Sequence, residues 1–139
     1  MINQTTPSKI LAAAVLAALS CVTGCKQEPL CAELGNCGGP IETPEGWLVL
    51  THGVGPLRTY CLGALLLDLD NPMRVIARTT EPLLRPEGDM VDGYVPRVVY
   101  SCGGILHRGT LWIPIGVGDS RVRVYSVGVD ELRAAMTDC

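Results

Sequence analysis

The chain contains two histidines, and one of them stands where an imidazole could meet a ligand. His52 follows the apolar run Trp47–Thr51 and precedes Gly53, which places it at a predicted strand end where the backbone can turn. An imidazole changes charge near neutral pH and can donate a hydrogen bond to an anion. The residues alone allow a second interpretation, in which His52 caps a turn or packs against Trp47.

Two neighbouring carboxylates have the spacing of an acid pair. Asp68 and Asp70 are two residues apart, so both would point to one face of a strand. They lead directly into Asn71 and Pro72, which are residues typical of turns. We therefore predict a solvated turn here and not an acid–base pair.

The N-terminal residues carry the pattern of an exported lipoprotein. Lys9 supplies a positive charge ahead of the apolar run Ile10–Leu19, which is too short to span a bilayer. Small residues then precede Cys25, so that a peptidase could reach the backbone and the thiol could accept a diacylglycerol. We predict a lipoprotein signal peptide over residues 1–24, lipidation at Cys25 and an exported protein anchored to a bacterial membrane. The alternative is an ordinary secretory peptide cut nearby.

Export decides how the seven cysteines are interpreted, because disulfides persist outside the cytoplasm. Removal of the leader takes Cys21 and lipidation uses Cys25, which leaves Cys31, Cys37, Cys61, Cys102 and Cys139. Cys31 and Cys37 are close in a segment rich in glycine and proline, so we predict a small-loop disulfide between them. No CxxC pair is present, and we predict no metal site.

The composition favours a small domain with an aliphatic core. Hydrophobic residues make up 47% of the chain while phenylalanine is absent, which favours strands built from valine, leucine and isoleucine. Residues 25–45 are rich in glycine and proline and are predicted to be a tether, and residues 46–139 to be one domain. The net charge of −3 gives no electrostatic reason to expect a nucleic-acid partner.

Strand-like patterns fill the predicted domain. Apolar or alternating runs bounded by turn residues predict strands at Trp47–Thr51, Thr59–Leu69, Val75–Thr79, Val98–Leu106, Thr110–Val117 and Arg121–Val127. A helix is predicted only at Asp130–Met136. This all-β pattern by itself fits a sandwich, a barrel fragment or two propeller blades.

Five sequence elements follow one another in a fixed order through the domain. They are THGVG (Thr51–Gly55), Tyr60, GALLLDLDNP (Gly63–Pro72), VPRVVYSCGG (Val95–Gly104) and IGVGD (Ile115–Asp119). In this order and spacing they resemble the C-terminal part of glycoside hydrolase family 130, the mannoside phosphorylases and their hydrolytic relatives. The resemblance implies antiparallel strands that form roughly two blades of a five-bladed β-propeller. It also implies a mannose-containing oligosaccharide as ligand, with inorganic phosphate as co-substrate of the phosphorolytic members and no cofactor.

The resemblance implies roles for four residues. His52 would help to hold the attacking phosphate, and Asp119 would accept hydrogen bonds from mannose hydroxyls. Arg58 and Tyr60 would line the rim of the cavity. The residues alone allow Asp119 to be an ordinary turn residue, and Arg58 and Tyr60 ordinary strand residues. The sequence departs from the family pattern near the cavity end of the strands, at Arg97, Ser101-Cys102 and Pro114-Ile115.

The family reaction also needs groups that this sequence does not supply. Phosphate or water attacks the anomeric carbon from one face while an acid protonates the leaving oxygen from the other. The resemblance implies that this acid, and the arginines that clamp phosphate, belong to earlier blades. No residue here corresponds to them, so we assign no catalytic residue.

Three interpretations follow from this absence. The chain is a truncated family relative that is inactive alone, or it is an enzyme part completed by self-association or by a partner carrying the missing blades. Alternatively, it is a non-catalytic surface lipoprotein with a carbohydrate- or protein-binding β-module.

Overall fold

The computed structural model describes residues 33–139. The predicted leader over residues 1–24, the predicted lipidation site Cys25, and Cys31 of the predicted disulfide lie outside these residues. Within the described residues, no helix is long and apolar enough to cross a bilayer.

The first of two antiparallel sheets, called sheet A, is built around β3 and β4, which pair along their full lengths. Beyond β4 come β5 and the last strand of the chain, β10. Two short strands share the free edge of β3: β1 pairs with its second half and β2 with its first. The bounds are β1 (Glu33–Asn36), β2 (Ile41–Thr43), β3 (Gly46–Val54), β4 (Tyr60–Leu67), β5 (Val75–Thr79) and β10 (Met136–Asp138).

The second sheet, sheet B, is centred on β8, which pairs with β9 along its whole length. On its other edge β8 pairs with β6 near one end and with β7 near the other. The bounds are β6 (Val99–Tyr100), β7 (Ile105–His107), β8 (Thr110–Val117) and β9 (Arg121–Gly128). The one α-helix of the described residues, α1 (Val129–Ala134), leads from β9 back to β10 in sheet A. Two short 3-10 helices lie at Pro56–Arg58 and Gly88–Met90.

One hydrophobic core lies between the two sheets. Leu50 and Leu62 of sheet A and Leu111 and Ile115 of sheet B belong to the same cluster, each at most 1% exposed. Leu132 of α1 joins this cluster at 2% exposure. Both sheets therefore depend on the same buried apolar area, which is the main favourable contribution to folding.

The two sheets also meet through their backbones. Gly38, after β1, has a φ of +74°, and a Cβ there would lie 2.3 Å from the carbonyl oxygen of Cys102 in sheet B's β6–β7 connection. At the end of the core, the N–H of Tyr60 donates to the carbonyl of Arg97, 3.0 Å away. These contacts fix which ends of the sheets lie together.

The outer face of sheet B carries large apolar side chains that are open to solvent. Ile105, Trp112, Val122 and Val124 are 66%, 43%, 77% and 63% exposed. Registers place Ile105 opposite Trp112, and Val124 opposite Pro114, so these residues share one face. Large exposed apolar patches are associated with interaction sites. We call these four residues the outer patch.

The all-β prediction, with antiparallel strands and a short helix near the C-terminus, is confirmed. The strands Val75–Thr79 and Thr110–Val117 are observed with the predicted bounds.

The tether prediction is wrong for residues 33–45. Glycine and proline suggested a loop, but the edge of β3 offers unpaired N–H and C=O groups, and β1 and β2 satisfy them. Cys37 and Thr43, within the same segment, are 1% and 5% exposed and belong to the folded body.

The single strand predicted at Val98–Leu106 is also wrong, because β6 and β7 are separate. The Ser101 hydroxyl lies 2.8 Å from the carbonyl oxygens of both Gly103 and Pro114, so local side-chain bonds replace the ladder there. The predicted helix Asp130–Met136 ends at Ala134, since Met136 begins β10 and is buried against the core.

Two glycines allow the backbone contact between the sheets to be tested. Gly38 and Gly109 have nearly identical φ values of +74° and +75°, but a Cβ on Gly109 meets nothing within 4 Å. We expect Gly109→Ala to cost about 1–2 kcal/mol of stability from left-handed strain alone. Gly38→Ala should cost about 1–3 kcal/mol more, because the clash is with backbone that cannot rotate away.

Urea unfolding of both variants measures the difference. Equal losses would show that the sheets do not approach each other at Gly38.

Candidate functional site

His52 continues the core-facing row of β3 beyond the edge of the hydrophobic core. Leu48 and Leu50 precede it on the same face, and both are buried, whereas His52 is half-buried. Its ring stands against two tyrosines: the ring centroid of Tyr60 lies 6.3 Å away at 27°, and that of Tyr100 lies 5.6 Å away at 54°. The imidazole thus contacts one aromatic ring from each sheet.

One nitrogen of this imidazole faces a thiol. The sulfur of Cys37 lies 3.7 Å from Nδ1 of His52. Burial raises the pKa of the Cys37 thiol to about 11, so the thiol keeps its proton at neutral pH. It can therefore donate to Nδ1. In the tautomer that accepts this bond, the hydrogen is on Nε2, which lies on the Gly35 side of the ring.

The surroundings of the imidazole favour its neutral form. Burial lowers the pKa of His52, because a partly desolvated ring disfavours the charged form. On the β1 side the fit is close, since a Cβ on Gly35 would lie 2.6 Å from Cε1 of the ring. Only glycine at this position lets β1 cover the ring without displacing it.

The two arginines nearest in the chain to this ring pair lie on exposed turns. Arg58 precedes Tyr60 by two residues, and the carbonyl of Arg97 accepts the Tyr60 N–H. Both arginines have positive φ, of 54° and 62°, and both are exposed. Each carries a positive charge at the open end of the two sheets.

Asp119 lies at this same end but on a separate turn. It occupies the β8–β9 turn with a φ of 51° and is exposed. This turn is tied to the loop before β6, because the Gly118 N–H donates to the Val98 carbonyl at 2.9 Å. Val98 in turn forms a bridge with Tyr60. Among the described residues, the Asp119 carboxylate has no hydrogen-bond or ion-pair partner.

The structure thus brings the predicted site residues to one end of the molecule without joining all of them. His52 and Tyr60 are in ring contact, whereas Arg58 and Asp119 lie on neighbouring turns. The sequence analysis did not select Tyr100, although strand alternation after the apolar Val99 indicates that the Tyr100 ring points to the opposite face. It placed Cys37 in the predicted tether, and it noted Arg97 only as a departure from the family pattern.

The carboxylates at the β4–β5 connection form a turn, as predicted. Oδ1 of Asp68 accepts the N–H groups of Asp70 at 2.9 Å and Asn71 at 3.0 Å. These backbone bonds, with the charge of Arg74, lower the pKa of Asp68. A carboxylate held ionised in this way serves the turn and not proton transfer.

The predicted disulfide between Cys31 and Cys37 is not formed. Cys37 is a free thiol inside the core cluster, with its sulfur turned toward His52. The segment that suggested a loose loop is instead fixed by β1, and the Cys37 N–H donates to the Leu50 carbonyl at 2.8 Å. Cys139, in contrast, is disulfide-bonded.

A concave pocket on the other side of sheet A does not coincide with this end of the molecule. It is lined by side chains that include Thr51, Arg78, Thr79 and Glu81. None of the four predicted site residues lines it.

Comparison with known proteins identifies the relatives of this chain. The model of glycoside hydrolase family 130, described as β-1,4-mannooligosaccharide phosphorylase, matches residues 8–138. A 1,2-β-oligomannan phosphorylase of Thermoanaerobacter sp. is 39% identical over 103 residues, covering 73% of this chain and 35% of its own length. A 4-O-β-D-mannosyl-D-glucose phosphorylase of Bacteroides fragilis is 36% identical over 98 residues, covering 67% of this chain and 25% of its own length.

Solved structures agree with the sequence relatives. The β-1,2-mannobiose phosphorylase of Listeria innocua, in complex with β-1,2-mannobiose, superposes with a TM-score of 0.72 at 35% identity. The match covers 79% of this chain and 31% of that enzyme. This chain therefore spans about a third of the length of the enzymes it matches, and its two sheets correspond to two blades of their propeller-like fold.

The neutral state of His52 gives a testable pH dependence. The folded pKa lies below the unfolded value, so the unfolded chain binds more protons as the pH falls. This contribution to stability is complete above about pH 6.5 and is lost as the pH falls toward the lowered folded pKa. We expect His52→Asn to flatten this part of the curve of unfolding free energy against pH.

Urea unfolding in steps between about pH 7.5 and pH 5 measures the effect. His107→Asn, which removes the exposed histidine of β7, is the control and should keep the wild-type slope. If His52→Asn also keeps that slope, the imidazole is not held neutral by the fold.

Proposed function

This chain belongs to glycoside hydrolase family 130, and we propose that it binds a mannose-containing oligosaccharide together with inorganic phosphate at the His52 site. The observation that carries the proposal is the half-buried His52 ring, in ring contact with Tyr60 and Tyr100 at the end of the molecule that also carries Arg58 and Arg97. Relatives that match more than two thirds of this chain are mannoside phosphorylases.

The chemistry of the site suits each part of this ligand. Nε2 of His52 can donate to a phosphate oxygen, and exposed Arg58 and Arg97 add positive charge nearby. Tyrosine rings offer an apolar face and a hydroxyl, which is the combination that sugars need for stacking and hydrogen bonding. Asp119 supplies a carboxylate that can accept bonds from sugar hydroxyls.

The proposal does not extend to turnover by this chain alone. An inverting mechanism needs an acid on the face of the sugar opposite to the attacking phosphate. The site described here holds an imidazole, a thiol, tyrosines and exposed arginines, and its one carboxylate, that of Asp119, lies exposed on a separate turn. We propose that the catalytic acid belongs to the two thirds of the family fold that this chain does not span.

A second candidate function, assembly with other blades, is favoured by the outer patch. A propeller blade is normally covered on both faces by its neighbours. Sheet A covers one face of sheet B, while Trp112, Val122 and Val124 on the other remain exposed. When no other blades are present, we expect the outer patch to pack against the outer patch of a second copy of this chain. The patch is apolar, so no like charges would repel each other across such a contact.

Binding through His52 can be tested directly on the full chain. We expect NMR titration with inorganic phosphate and with β-1,2-mannobiose to show saturable shifts. His52→Asn should weaken phosphate binding by about 10-fold or more, because a hydrogen bond to a charged group is lost. His107→Asn should bind as the wild type does, and neither form should release a sugar phosphate from mannobiose.

Two results would contradict the proposal. One is an identical phosphate affinity in the wild type and in His52→Asn. The other is phosphorolysis by the full chain as a defined monomer, which would place a catalytic acid among the residues described here.

The outer patch can be tested by solution mass. We expect light scattering to show association of the full chain, and Val122→Glu with Val124→Glu to yield monomers, because charge cannot be buried in an apolar contact. Leu57→Glu, which introduces the same charge at a leucine 79% exposed in the loop before β4, should associate like the wild type. A monomeric wild type would rule out the second copy.

A further inference from the structure

Two Cys-Gly dipeptides are in close backbone contact where the two sheets meet. Cys37-Gly38 follows β1, and Cys102-Gly103 lies between β6 and β7. A Cβ on Gly38 would lie 2.3 Å from the Cys102 carbonyl oxygen and 2.9 Å from the Gly103 Cα. Reciprocally, a Cβ on Gly103 would lie 3.4 Å from the Cys37 carbonyl oxygen. Both glycines have positive φ, +74° and +127°, a conformation that glycine adopts readily. Because glycine has no Cβ, the two backbones can approach each other closely here.

The two thiols are close as well as the two backbones. The backbone of Ser101, one residue before Cys102, lies close enough to the Cys37 sulfur to lower the pKa of that thiol against the larger effect of burial. After burial, the nearness of Cys102 is a further and smaller cause of the raised pKa of the Cys37 thiol. Both cysteines are free, and they differ in access, because Cys37 is buried and Cys102 is exposed.

We propose that Cys37 and Cys102 form a disulfide, a covalent clamp between sheet A and sheet B that sits directly behind His52. The mutual contact of the two Cys-Gly dipeptides supplies the geometry, and a bridge between sheets joins parts of the chain that are far apart in sequence. The proposal needs no binding function for the site.

The reaction balances as a thiol–disulfide exchange with a disulfide oxidant, such as oxidised glutathione or a dithiol oxidoreductase. The exposed Cys102 thiolate attacks one sulfur of the oxidant and releases the other as a thiol, which forms a mixed disulfide. Cys37 then loses its proton and attacks the Cys102 sulfur, releasing the second thiol. Two protein thiols lose two protons and two electrons, and the oxidant disulfide gains both. Cys102 reacts first because only it is open to solvent.

Formation of the clamp changes the neighbour of His52. The Cys37 sulfur that now lies 3.7 Å from Nδ1 would be bonded to Cys102 and would no longer carry a hydrogen. Nδ1 would lose this donor, and the imidazole would be free to choose either tautomer. That this alters anion binding rests on the proposed function, whereas the disulfide itself does not.

Peptide mapping tests the bond on the full chain. The protein is equilibrated with oxidised glutathione, alkylated and digested with trypsin without reduction. The tryptic peptide Val98–Arg108 contains Cys102 as its one cysteine. We expect it to be cross-linked to the peptide Gln27–Arg58, which contains Cys31 and Cys37. The cross-link should vanish in Cys37→Ser and in Cys102→Ser and persist in Cys61→Ala, the matched control at a buried cysteine of β4.

A thermal measurement keeps the test informative if Cys37→Ser does not fold. Because Cys102 is exposed, Cys102→Ser removes the clamp without opening the core. Oxidation should raise the Tm of the wild type by about 8 °C or more, and that of Cys102→Ser by clearly less. Both proteins keep the disulfide of Cys139, so the difference in Tm reports the bond between Cys37 and Cys102. The proposal is overturned if Cys102 is fully alkylated under conditions in which Cys139 stays bonded, or if the cross-link survives in Cys37→Ser.

Discussion

The packing of sheet A onto sheet B is the interaction on which the rest of the structure depends. Leu50 and Leu62 meet Leu111 and Ile115 in one cluster, and none of the four is more than 1% exposed. A small sheet with one bare face has little stability of its own, so neither sheet would persist without the other. The helix α1 adds Leu132 to this core and returns the chain to sheet A as β10, which ties the two sheets at the far end as well.

The candidate site is a consequence of where this core stops. His52 continues the row of Leu48 and Leu50 by one further step on the same face, and that step carries it beyond the apolar cluster. There it meets Tyr60 from its own sheet and Tyr100 from the other. The ring is therefore partly desolvated and held neutral by the same packing that builds the core.

The sequence was sufficient for the parts of the fold that depend on local patterns. Alternation or continuous apolar runs predicted β5 and β8 with correct bounds, and the turn chemistry around Asn71 and Pro72 predicted the turn that Asp68 caps. It was not sufficient where tertiary pairing overrides composition. β1 and β2 form because β3 has an edge to satisfy, and Met136 joins β10 because β5 has another. The residues of β1, β2 and β10 carry no local sequence pattern that indicates the strand edge with which each of them pairs.

The same distinction applies to the site. His52, Tyr60 and Asp119 were selected through ordered motifs, and the structure brings all three to one end, although only His52 and Tyr60 touch. Tyr100 and Cys37 were missed because their contacts with His52 join segments distant in sequence, one across the sheets and one across β1. A local sequence pattern does not predict contacts that arise only when β1 pairs with β3 or when the two sheets pack together.

The electrostatics of this end limit what the chain can do by itself. A phosphate that enters gives up hydration to reach a half-buried neutral imidazole, and one hydrogen bond from Nε2 only partly replaces it. A bound anion would favour the imidazolium form, so phosphate binding and proton uptake at His52 are linked, and each strengthens the other. The remaining positive charge comes from Arg58 and Arg97, which are exposed and screened by solvent. Under the proposed function, tight phosphate binding would therefore require desolvated cations from further blades, and the site described here would orient the anion without supplying most of its affinity.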